Sequence, residues 1–567
     1  MQTRLSDVAW HVRPGAPAEI QAALTRSGYS PLLAQLLYNR GISTPDQAQS
    51  FLSHESVSHD PWALPGMEAA VDRIKGALER KERIAVFGDF DVDGITATAL
   101  LTRALKPLGS QVRPYIPHRV EEGHGLSLHA VQLLAGESVD LLITVDCGVT
   151  SHEEVRAASR AGIDTIITDH HLAPDGGPDA CAVVDPRLSG SNYPFPYLTG
   201  AGLAWKLAQA VYSSLGRTAE FEGQPLMSLA ALGTIADVGP LVDENRSIVR
   251  DGLKELGERP TPGLRALMRS ARQDGHPPDT ETVGWYLAPR LNAAGRMAHA
   301  DTSYQLLVTD SPAEAASLVG VLETQNRQRQ ELTAAAHEKA KGLVELEPLI
   351  MVGDASFLPG IIGLVASRLV DELGRPAVVL SVGNEVSRGS CRSVAEFDIG
   401  SALHEVAASM DGFIAHGGHP QAAGFTIATD SVPELRQRLV EIARQAMGDE
   451  VSSPRLDIDM ELPLGSLPRD VYRLAGELAP CGEANPQPVF LSRGVQVTSM
   501  RSFGADGVHL SLNLRDGGVT WSAVAFRQGG KVPNGTGLVD VVYTVGIDRW
   551  NGQETLRLGV LDIRASG

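Results

Sequence analysis

The sequence has few cysteines, and they are widely separated. The four cysteines among 567 residues are Cys147, Cys181, Cys391 and Cys481, and none belongs to a Cys-x-x-Cys pair. This usage argues against a disulfide framework and against a thiolate zinc site. A reducing compartment, the cytoplasm, is therefore expected.

Long apolar runs and an excess of basic charge are also missing. No stretch approaches the roughly 18 apolar residues that a spanning helix needs, and Met1–Asp7 lacks the apolar core of a signal peptide. We therefore expect no visible export signal and no membrane-embedded segment. The formal net charge of −19 argues against nonspecific wrapping of nucleic acid, although a local basic groove is compatible with an acidic exterior.

Length and composition predict a folded protein of several domains. Hydrophobic residues make up 43% and charged residues 21%, which is ordinary for globular chains. At roughly 150 residues per domain the chain predicts three or four domains. No internal repeat or low-complexity tract is evident.

Strand and helix patterns alternate between residues 71 and 186. Short β-branched runs cover 84–87, 112–117, 141–145, 165–168 and 182–184, with helical patterns at 71–81, 96–105, 127–135 and 153–161. Such alternation predicts an α/β fold with a doubly wound parallel sheet.

The remaining segments predict four further parts. Ser311-Pro-Ala-Glu314 combines an N-cap, a proline at the first helical position and an acid three residues on, which predicts a long helix that Gly320 or Gly342 could interrupt. Strand patterns at 495–500, 508–514, 520–526, 538–545 and 555–560 predict a small OB-like barrel. The predicted domains are an N-terminal helical extension (1–55), a catalytic α/β domain (56–300), a connecting helix (311–347), a smaller α/β domain (348–450) and the C-terminal barrel (455–567).

Acids and histidines follow three of the predicted strands. Singly, such an acid more often caps a helix or solvates a loop, but in open α/β sheets the groups beyond the carboxyl ends of the strands share one crevice. The coincidence of several clusters therefore favours a metal site. The residues are Asp89, Asp91 and Asp93 after the first strand, Asp146 after the third, Asp169, His170 and His171 after the fourth, and Asp237 in the apolar segment 232–240.

The donor types suggest which metal would bind. Carboxylates alone suit Mg²⁺, and added imidazoles shift the preference towards Mn²⁺ or another first-row ion. Asp91 and Asp93 are two residues apart and would point the same way in an extended loop, so Asp146 could bridge two ions about 3.5–4 Å apart. A water molecule held by both ions could attack phosphorus.

These motifs resemble those of the DHH phosphoesterase superfamily, in order and with plausible spacing. Gly417–Phe425 resembles the glycine-histidine motif of the associated DHHA1 domain, and with the barrel the whole arrangement is similar to the RecJ exonuclease family. The resemblance implies that Asp91, Asp93, Asp146, His170 and Asp237 bind two Mn²⁺ or Mg²⁺ ions, that Asp146 bridges them, that Asp169 orients an imidazole, and that His171 faces the scissile phosphate.

Two positions depart from the family pattern. Many members carry a metal-binding histidine at the position of Phe87, so Asp89 or water would fill that place, and the role of Asp89 stays open. Related chains often carry a histidine at the position of Leu358, and leucine cannot donate a hydrogen bond.

Candidate phosphate contacts lie outside the acidic clusters. The resemblance implies that Ser390, Arg392 and Ser393 bind a terminal phosphate or the adjacent nucleotide, although a polar turn is the common alternative. Gly418 would allow close approach of a ligand and His419 would donate a hydrogen bond. Further candidates for phosphate contact are Arg119, Arg290, Arg296 and the 326–329 segment.

In the barrel, aromatic side chains could stack on bases beside basic ones, although barrel aromatics more often fill the core. The aromatic candidates are Trp521, Phe526, Tyr543 and Trp550, and the basic ones are Arg527, Arg549 and Arg557.

The favoured function is a metal-dependent nuclease that removes nucleotides from single-stranded DNA, and the resemblance alone implies 5′-to-3′ polarity and a role in DNA repair and recombination. Two alternatives stay open: a phosphodiesterase of short oligonucleotides or cyclic dinucleotides, and a DNA-binding scaffold without catalysis. The extra domains favour a long polymer over short substrates. Single-stranded DNA is the expected partner, and a helicase and a single-strand-binding protein are candidate partners that the sequence leaves open.

Overall fold

The computed structural model describes residues 8–53, 55–173, 176–448, 455–468, 471–504, 507–529, 537–548 and 555–566. The chain forms two compact units, Met1–Glu55 with Ser453–Gly567, and Ser56–Ser452. None of the described helices combines the length and the apolar character needed to cross a lipid bilayer.

The elements are numbered along the chain. The strands are β1 (Ala9–Val12), β2 (Arg83–Phe87), β3 (Gln111–Tyr115), β4 (Leu141–Val145), β5 (Asp164–Thr168), β6 (Ala182–Val184), β7 (Ile350–Asp354), β8 (Ala377–Ser381), β9 (Val386–Arg392), β10 (Phe413–His419), β11 (Ala422–Ala428), β12 (Arg455–Ile458), β13 (Met460–Glu461), β14 (Phe490–Phe503), β15 (His509–Asp516), β16 (Val519–Ala525), β17 (Leu538–Asp548) and β18 (Thr555–Ala565).

The helices are α1 (Ala18–Arg26), α2 (Pro31–Tyr38), α3 (Pro45–Leu52), α4 (Met67–Arg80), α5 (Val92–Leu105), α6 (Leu128–Gly136), α7 (His152–Arg160), α8 (Gly200–Ser214), α9 (Thr218–Glu222), α10 (Met227–Ala236), α11 (Asp243–Glu258), α12 (Pro262–Ser270), α13 (Ala288–Met297), α14 (Asp301–Val308), α15 (Pro312–Leu343), α16 (Ile362–Leu373), α17 (Ile399–Ser409), α18 (Val432–Met447) and α19 (Val471–Glu477). A π-helix covers Thr282–Leu287.

The larger unit contains the predicted parallel sheet, in the order β3-β2-β4-β5-β6. Every pairing in it is parallel, and β4 is buried along its whole length, as expected for a sheet covered on both faces. The register aligns Phe87 with Thr144, and Val145 with Thr168. The acids that follow these strands therefore emerge at one edge of the sheet, which confirms the predicted fold class.

Helix α15 is continuous over 32 residues. Its start follows the predicted signature, since the amide of Glu314 donates to Ser311 Oγ at 3.3 Å. The expectation that Gly320 or Gly342 could interrupt it was wrong, because both lie inside the helix. A single glycine costs a helix only about 1 kcal/mol, which tertiary contacts along α12, α13 and α16 offset.

The smaller α/β domain is built on a second sheet, in the order β10-β11-β9-β8-β7. Strands β7 and β8 are parallel and the other pairings are antiparallel. Separate apolar clusters cover it, one with α16 and one with α17 and α18. Strand β10 forms one edge, and its residues from Ile414 to His419 are exposed.

The unit formed by Met1–Glu55 and Ser453–Gly567 is a barrel with the N-terminal helices packed on it. Strands β13-β14-β15-β16-β18-β17 form one sheet that closes through a β14–β17 pairing, and β1 adds to β12 in parallel. All five predicted strands are present. Buried side chains of α1, α2 and α3 join the barrel core, a docking that the sequence did not indicate.

Candidate functional site

The segment after β2 forms the start of a helix. Asp91 is the N-cap of α5, and its Oδ1 accepts hydrogen bonds from the amides of Asp93 at 3.0 Å and Gly94 at 3.1 Å. The extended loop expected here was therefore wrong, because Asp91 caps the helix and Asp93 lies in its first turn. The helical pattern in the sequence predicted a start at Thr96, whereas α5 begins at Val92.

Asp93 lies against the N-terminus of α8. Its Oδ2 accepts from the amide of Gly200 at 2.6 Å and its Oδ1 from that of Ala201 at 2.9 Å, a position where the helix dipole favours an anion. The side chain is nevertheless 1% exposed. Burial, followed by repulsion from Asp91, raises the pKa of Asp93 to about 7.

Asp146 occupies a strained and crowded position after β4. Its φ is +62°, a left-handed conformation that side chains other than glycine adopt at a cost. Its Oδ1 lies 3.0 Å from His170 Nε2. Burial, and then the neighbouring carboxylates, of which Asp93 has the largest effect, raise the pKa of Asp146 well above its ordinary value.

Two glycines leave the space that these carboxylates fill. A Cβ on Gly200 would lie 2.4 Å from Asp146 Cβ, and one on Gly233 would lie 2.3 Å from Asp93 Oδ1. Both glycines are on helices packed against α5. The close approach of helix backbone to carboxylate therefore depends on glycine at both positions.

Asp169 holds the histidine pair. Its Oδ1 accepts from the amides of His170 at 2.8 Å and His171 at 3.1 Å and lies 2.7 Å from His171 Nδ1, and its Oδ2 accepts from the amide of Val149 at 2.9 Å. Burial disfavours the charged form of each imidazole. The pKa of His170 falls to about 3, whereas the hydrogen bond to Asp169 raises the pKa of His171 to about 9.

Asp237 completes the cluster from the C-terminal end of α10, with a carboxylate oxygen 3.8 Å from His170 Nε2. Burial, and then repulsion from Asp93 and Asp91, raises its pKa to about 8. The donors fall into three overlapping groups whose ligand atoms lie within 4.8 Å of one another: Asp89, Asp91 and Asp146; Asp93, His170 and Asp237; and Asp146, His170 and His171.

This donor set fits divalent cations. Asp89 Oδ1 is buried without a hydrogen-bond partner among the described residues, and Asp146 belongs to two of the three groups. A buried imidazole with a low pKa, as at His170, is neutral and so has the form that binds metals. Clustered carboxylates with raised pKa values would lose their mutual repulsion beside a cation.

Four arginines lie near one another and are called the arginine pocket here: Arg119, Arg296, Arg329 and Arg392. Arg119 and Arg296 are also near Asp91. Burial, followed by repulsion from the other three, lowers the pKa of Arg296 to about 9, and its guanidinium donates to the Gly360 carbonyl at 3.0 Å. Arg119 lies 3.9 Å from the centre of the Phe90 ring and is attracted by Asp89 and Asp91. Half-buried guanidiniums that repel one another would be stabilised by a bound anion such as a phosphate.

The smaller α/β domain contributes to the same place. The ring of His419 on β10 is parallel to that of His171, with 5.6 Å between their centres. Ser390 Oγ lies 3.3 Å from Arg392 Nη1 on β9. The hydroxyl of Ser393 donates to the Phe397 carbonyl at 2.6 Å, so the structure gives it a local partner.

Other predicted positions have different surroundings. The alternative of a polar turn around Ser390–Ser393 was wrong, because strand β9 runs through Arg392. Gly418 packs so tightly on β11 that a Cβ there would lie 2.4 Å from Ala423 Cα. Arg290 Nε donates to Glu323 at 2.8 Å. Phe87 is fully buried and stacks on Tyr115, and Leu358 is 42% exposed.

The sequence missed several neighbours of the site. His124 Nδ1 lies 2.8 Å from Asp89 Oδ2, and Arg187 donates to the His170 carbonyl at 3.1 Å. Asp185 follows β6 and is fully buried, and burial raises its pKa to about 7. The strand-then-aspartate pattern that revealed Asp146 and Asp169 also marks Asp185.

The predicted base-stacking aromatics of the barrel divide into two classes. Trp521 and Tyr543 are buried, at 9% and 0% exposure, so the candidate role of stacking on bases is wrong for them, and the alternative that they fill the barrel core is confirmed. Phe526 is 57% exposed and packs edge-on against His509, with exposed Arg527 next to it. Arg557 is on β18; Arg549 and Trp550 lie outside the described residues.

Comparisons with known proteins agree with this geometry. The chain matches the DHH family, N-terminal domain, over residues 83–234, the DHHA1 domain over 347–447 and the RecJ OB domain over 458–562. The single-stranded-DNA-specific exonuclease RecJ of Bacillus subtilis (strain 168) is 35% identical over 99% of this chain and 71% of the relative. The chain belongs to the RecJ exonuclease family.

Further members of the family support the assignment. The RecJ exonuclease of Escherichia coli (strain K12) is 30% identical over 93% of this chain and 95% of its own. The crystal structure of RecJ from Thermus thermophilus in complex with Mn²⁺ has a TM-score of 0.83 and 31% identity, and covers 99% of this chain and 80% of that chain. A Mg²⁺ complex of the same protein has a TM-score of 0.78 and 29% identity, over 99% of this chain and 79% of that one.

Proposed function

We propose that the protein is a single-stranded-DNA-specific exonuclease that uses two Mn²⁺ or Mg²⁺ ions and releases mononucleotides in the 5′-to-3′ direction. The observation that carries this proposal is the pairing of an acid and histidine cluster with the arginine pocket. Relatives over nearly the whole chain bear the same activity in their names. The proposed setting is DNA repair and recombination in the cytoplasm, with a helicase and a single-strand-binding protein supplying or protecting the strand.

The proposed ligands are Asp89, Asp91, Asp93, Asp146, His170 and Asp237, with Asp146 shared. The overlap of the donor groups at Asp146 supports this set. When bound, such ions activate a water molecule and stabilise the charge that develops on the phosphate. The acids themselves supply fixed positions, because backbone amides hold Asp91 and Asp93 in place.

The remaining residues would bind and orient the strand. Arg119, Arg296 and Arg392 would neutralise the terminal phosphate, with Ser390 beside Arg392. Asp169 would act as a positioning residue, since it fixes both histidines through hydrogen bonds. His171 and His419 would face the scissile phosphate from the two domains, as their parallel rings suggest.

Strands labelled at either end test the proposal. With Mn²⁺, the 5′ label should appear early as mononucleotide and the 3′ label late, whereas a blunt duplex should stay intact. Asp146→Ala is the active-site control and should abolish cleavage while DNA binding persists. Early release of the 3′ label would refute the polarity, and absence of cleavage by the wild type with either metal would refute the enzyme.

A further inference from the structure

Two adjacent aromatic side chains stand in solvent in the larger unit. Trp285 is 75% exposed and Tyr286 is 42% exposed, and Trp285 is the most exposed large apolar side chain in the described part of the chain. Among those residues neither ring packs against another aromatic ring or a cation at contact distance. Single exposed apolar residues are common, but a consecutive Trp-Tyr pair combines large flat surfaces that water solvates poorly.

The local backbone presents the pair outward. Both residues belong to the π-helix Thr282–Leu287, whose wider turn is rare and occurs frequently at functional sites. Thr282, Val283 and Leu287 of the same turn are buried. The π-turn therefore anchors its apolar residues inward, while two consecutive aromatics are left on the surface.

This turn is close to the acid cluster. A Cβ on Gly284, the residue before Trp285, would lie 4.0 Å from Ile235 Cγ2, and Ile235 precedes Asp237 by two residues. Val238, directly after Asp237, has a φ of +57° and is 63% exposed. A β-branched residue in the left-handed region is a clear outlier, so the segment next to the turn is also held in an unusual conformation.

Basic side chains connect the pair to the arginine pocket. Arg290 donates to the Tyr286 carbonyl and to Glu323, both at 2.8 Å. Arg290 and Arg327 both attract the carboxylate of Glu323, so two cations share one acid. Burial, and then repulsion from Arg368 and Arg290, lowers the pKa of Arg329 in the pocket. Positive charge therefore continues from the pocket to the aromatic pair.

We propose that Trp285 and Tyr286 form a stacking platform for the bases of the single strand, a few nucleotides away from the scissile bond. This inference rests on the proposed exonuclease function and adds a base-contacting site to it. Stacking on an aromatic face tolerates every base, which suits an enzyme that must advance along any sequence, while Arg290 and Arg327 supply the charge that attracts the backbone between platform and pocket.

Substrate length separates the platform from the catalytic centre. Base stacking removed by alanine costs about 1–3 kcal/mol, which corresponds to a rise in KM of about 5- to 150-fold. We expect this rise for Trp285→Ala on a 20-nucleotide strand with Mn²⁺, with kcat changed less than about twofold. Because the proposed platform lies a few nucleotides from the scissile bond, a dinucleotide should not reach it, and the variant and the wild type should cleave it alike. Trp285→Phe should stay within about threefold of the wild type.

A second tryptophan and abasic strands serve as controls for the stacking contact. Trp62 is another exposed tryptophan of the same unit, at 41% exposure, and Trp62→Ala should leave both KM values unchanged. Strands with one abasic position, moved stepwise from the 5′ end, should reproduce the KM rise in the wild type at one register. At that register the Trp285→Ala variant should lose nothing further, because the stacking contact is already absent.

The outcomes are distinguishable. Unchanged KM for Trp285→Ala on the long strand, or an equal loss on the long strand and the dinucleotide, would overturn the platform while leaving the exonuclease intact. A wild type that cleaves neither substrate would overturn the proposed function instead. In that case the affinity for a phosphorothioate strand decides the platform: weaker binding by Trp285→Ala supports it, and equal binding overturns it.

Discussion

Alanine at Gly200 would place one methyl group against the proposed bridging carboxylate. The added Cβ would lie 2.4 Å from Asp146 Cβ and 2.8 Å from both Asp146 Cγ and Oδ1, which is about 1 Å short of ordinary van der Waals contact. Asp146 cannot withdraw freely, because it is buried and contacts His170 at 3.0 Å. Helix α8 cannot withdraw freely either, since the Gly200 amide binds Asp93 at 2.6 Å.

The clash therefore displaces one of two carboxylates by about 1 Å. A misplacement of this size at a catalytic group costs roughly 100-fold in rate, so we expect kcat with Mn²⁺ to fall by about that factor. Overpacking of a filled site costs about 1–3 kcal/mol, and alanine in a helix returns at most about 1 kcal/mol relative to glycine. The Gly200→Ala variant should accordingly fold with only slightly reduced stability.

Gly202→Ala is the matched control, two residues along the same helix. Its Cβ would meet Leu198 Cδ2 at 3.4 Å, the flexible end of a side chain, so activity should stay within about twofold of the wild type. The assay is steady-state cleavage of single-stranded DNA over a Mn²⁺ titration, with thermal unfolding of both variants. Full activity of Gly200→Ala, or an equal loss in Gly202→Ala, would refute the packing argument.

Three further predictions concern charge and the barrel. The folded-state pKa of Asp237 is raised to about 8, so the metal-free folded protein binds more protons at this residue than the unfolded chain does between about pH 4 and 8. Its thermal stability should therefore fall as pH rises through this window. Asp237→Asn should flatten this pH dependence, and an unchanged slope in the variant would contradict the assignment. Lys206 and Glu244 are buried and paired, at 0% and 1% side-chain exposure, so Lys206→Met should cost about 3–5 kcal/mol in chemical unfolding. The further replacement Glu244→Leu should not restore this stability, because the Glu244 carboxylate also accepts from the His59 amide at 2.7 Å and from the Tyr193 hydroxyl at 2.5 Å; equal stability of Lys206→Met and the wild type would count against the pair. Phe526→Ala should weaken binding of single-stranded DNA without lowering the unfolding midpoint. Tyr543 is in the barrel core, so Tyr543→Ala should lower the midpoint. The opposite pattern would contradict the assignment of Phe526 to the surface contact and of Tyr543 to the core.

Local patterns predicted the sheet and the place of the acids because both depend on short-range properties. A β-branched run such as Leu141–Val145 indicates a buried parallel strand, and parallel strands end at one edge. These two properties were enough to predict that Asp146, Asp169 and their neighbours lie together. The predicted bounds of β4 and β6 match the structure residue for residue.

Partners distant in the chain had no comparable signal. Asp93 is held by amides more than 100 residues away, and His124, which contacts Asp89, lies in an irregular segment without periodicity. Apolar periodicity shows that a face is buried but not which element covers it, so the docking of α1–α3 on the barrel was missed. The same limit applies to Trp521, because an aromatic on an alternating strand is compatible with core or surface.

The central claim is that the acid and histidine cluster is a two-ion centre, and the number of Mn²⁺ ions bound per chain tests it most directly. Equilibrium dialysis of the chelator-treated protein against Mn²⁺ should give two ions for the wild type and fewer for Asp146→Asn, because Asp146 belongs to two of the donor groups. Saturation at one ion or none in the wild type, or two ions retained by Asp146→Asn, would contradict the account.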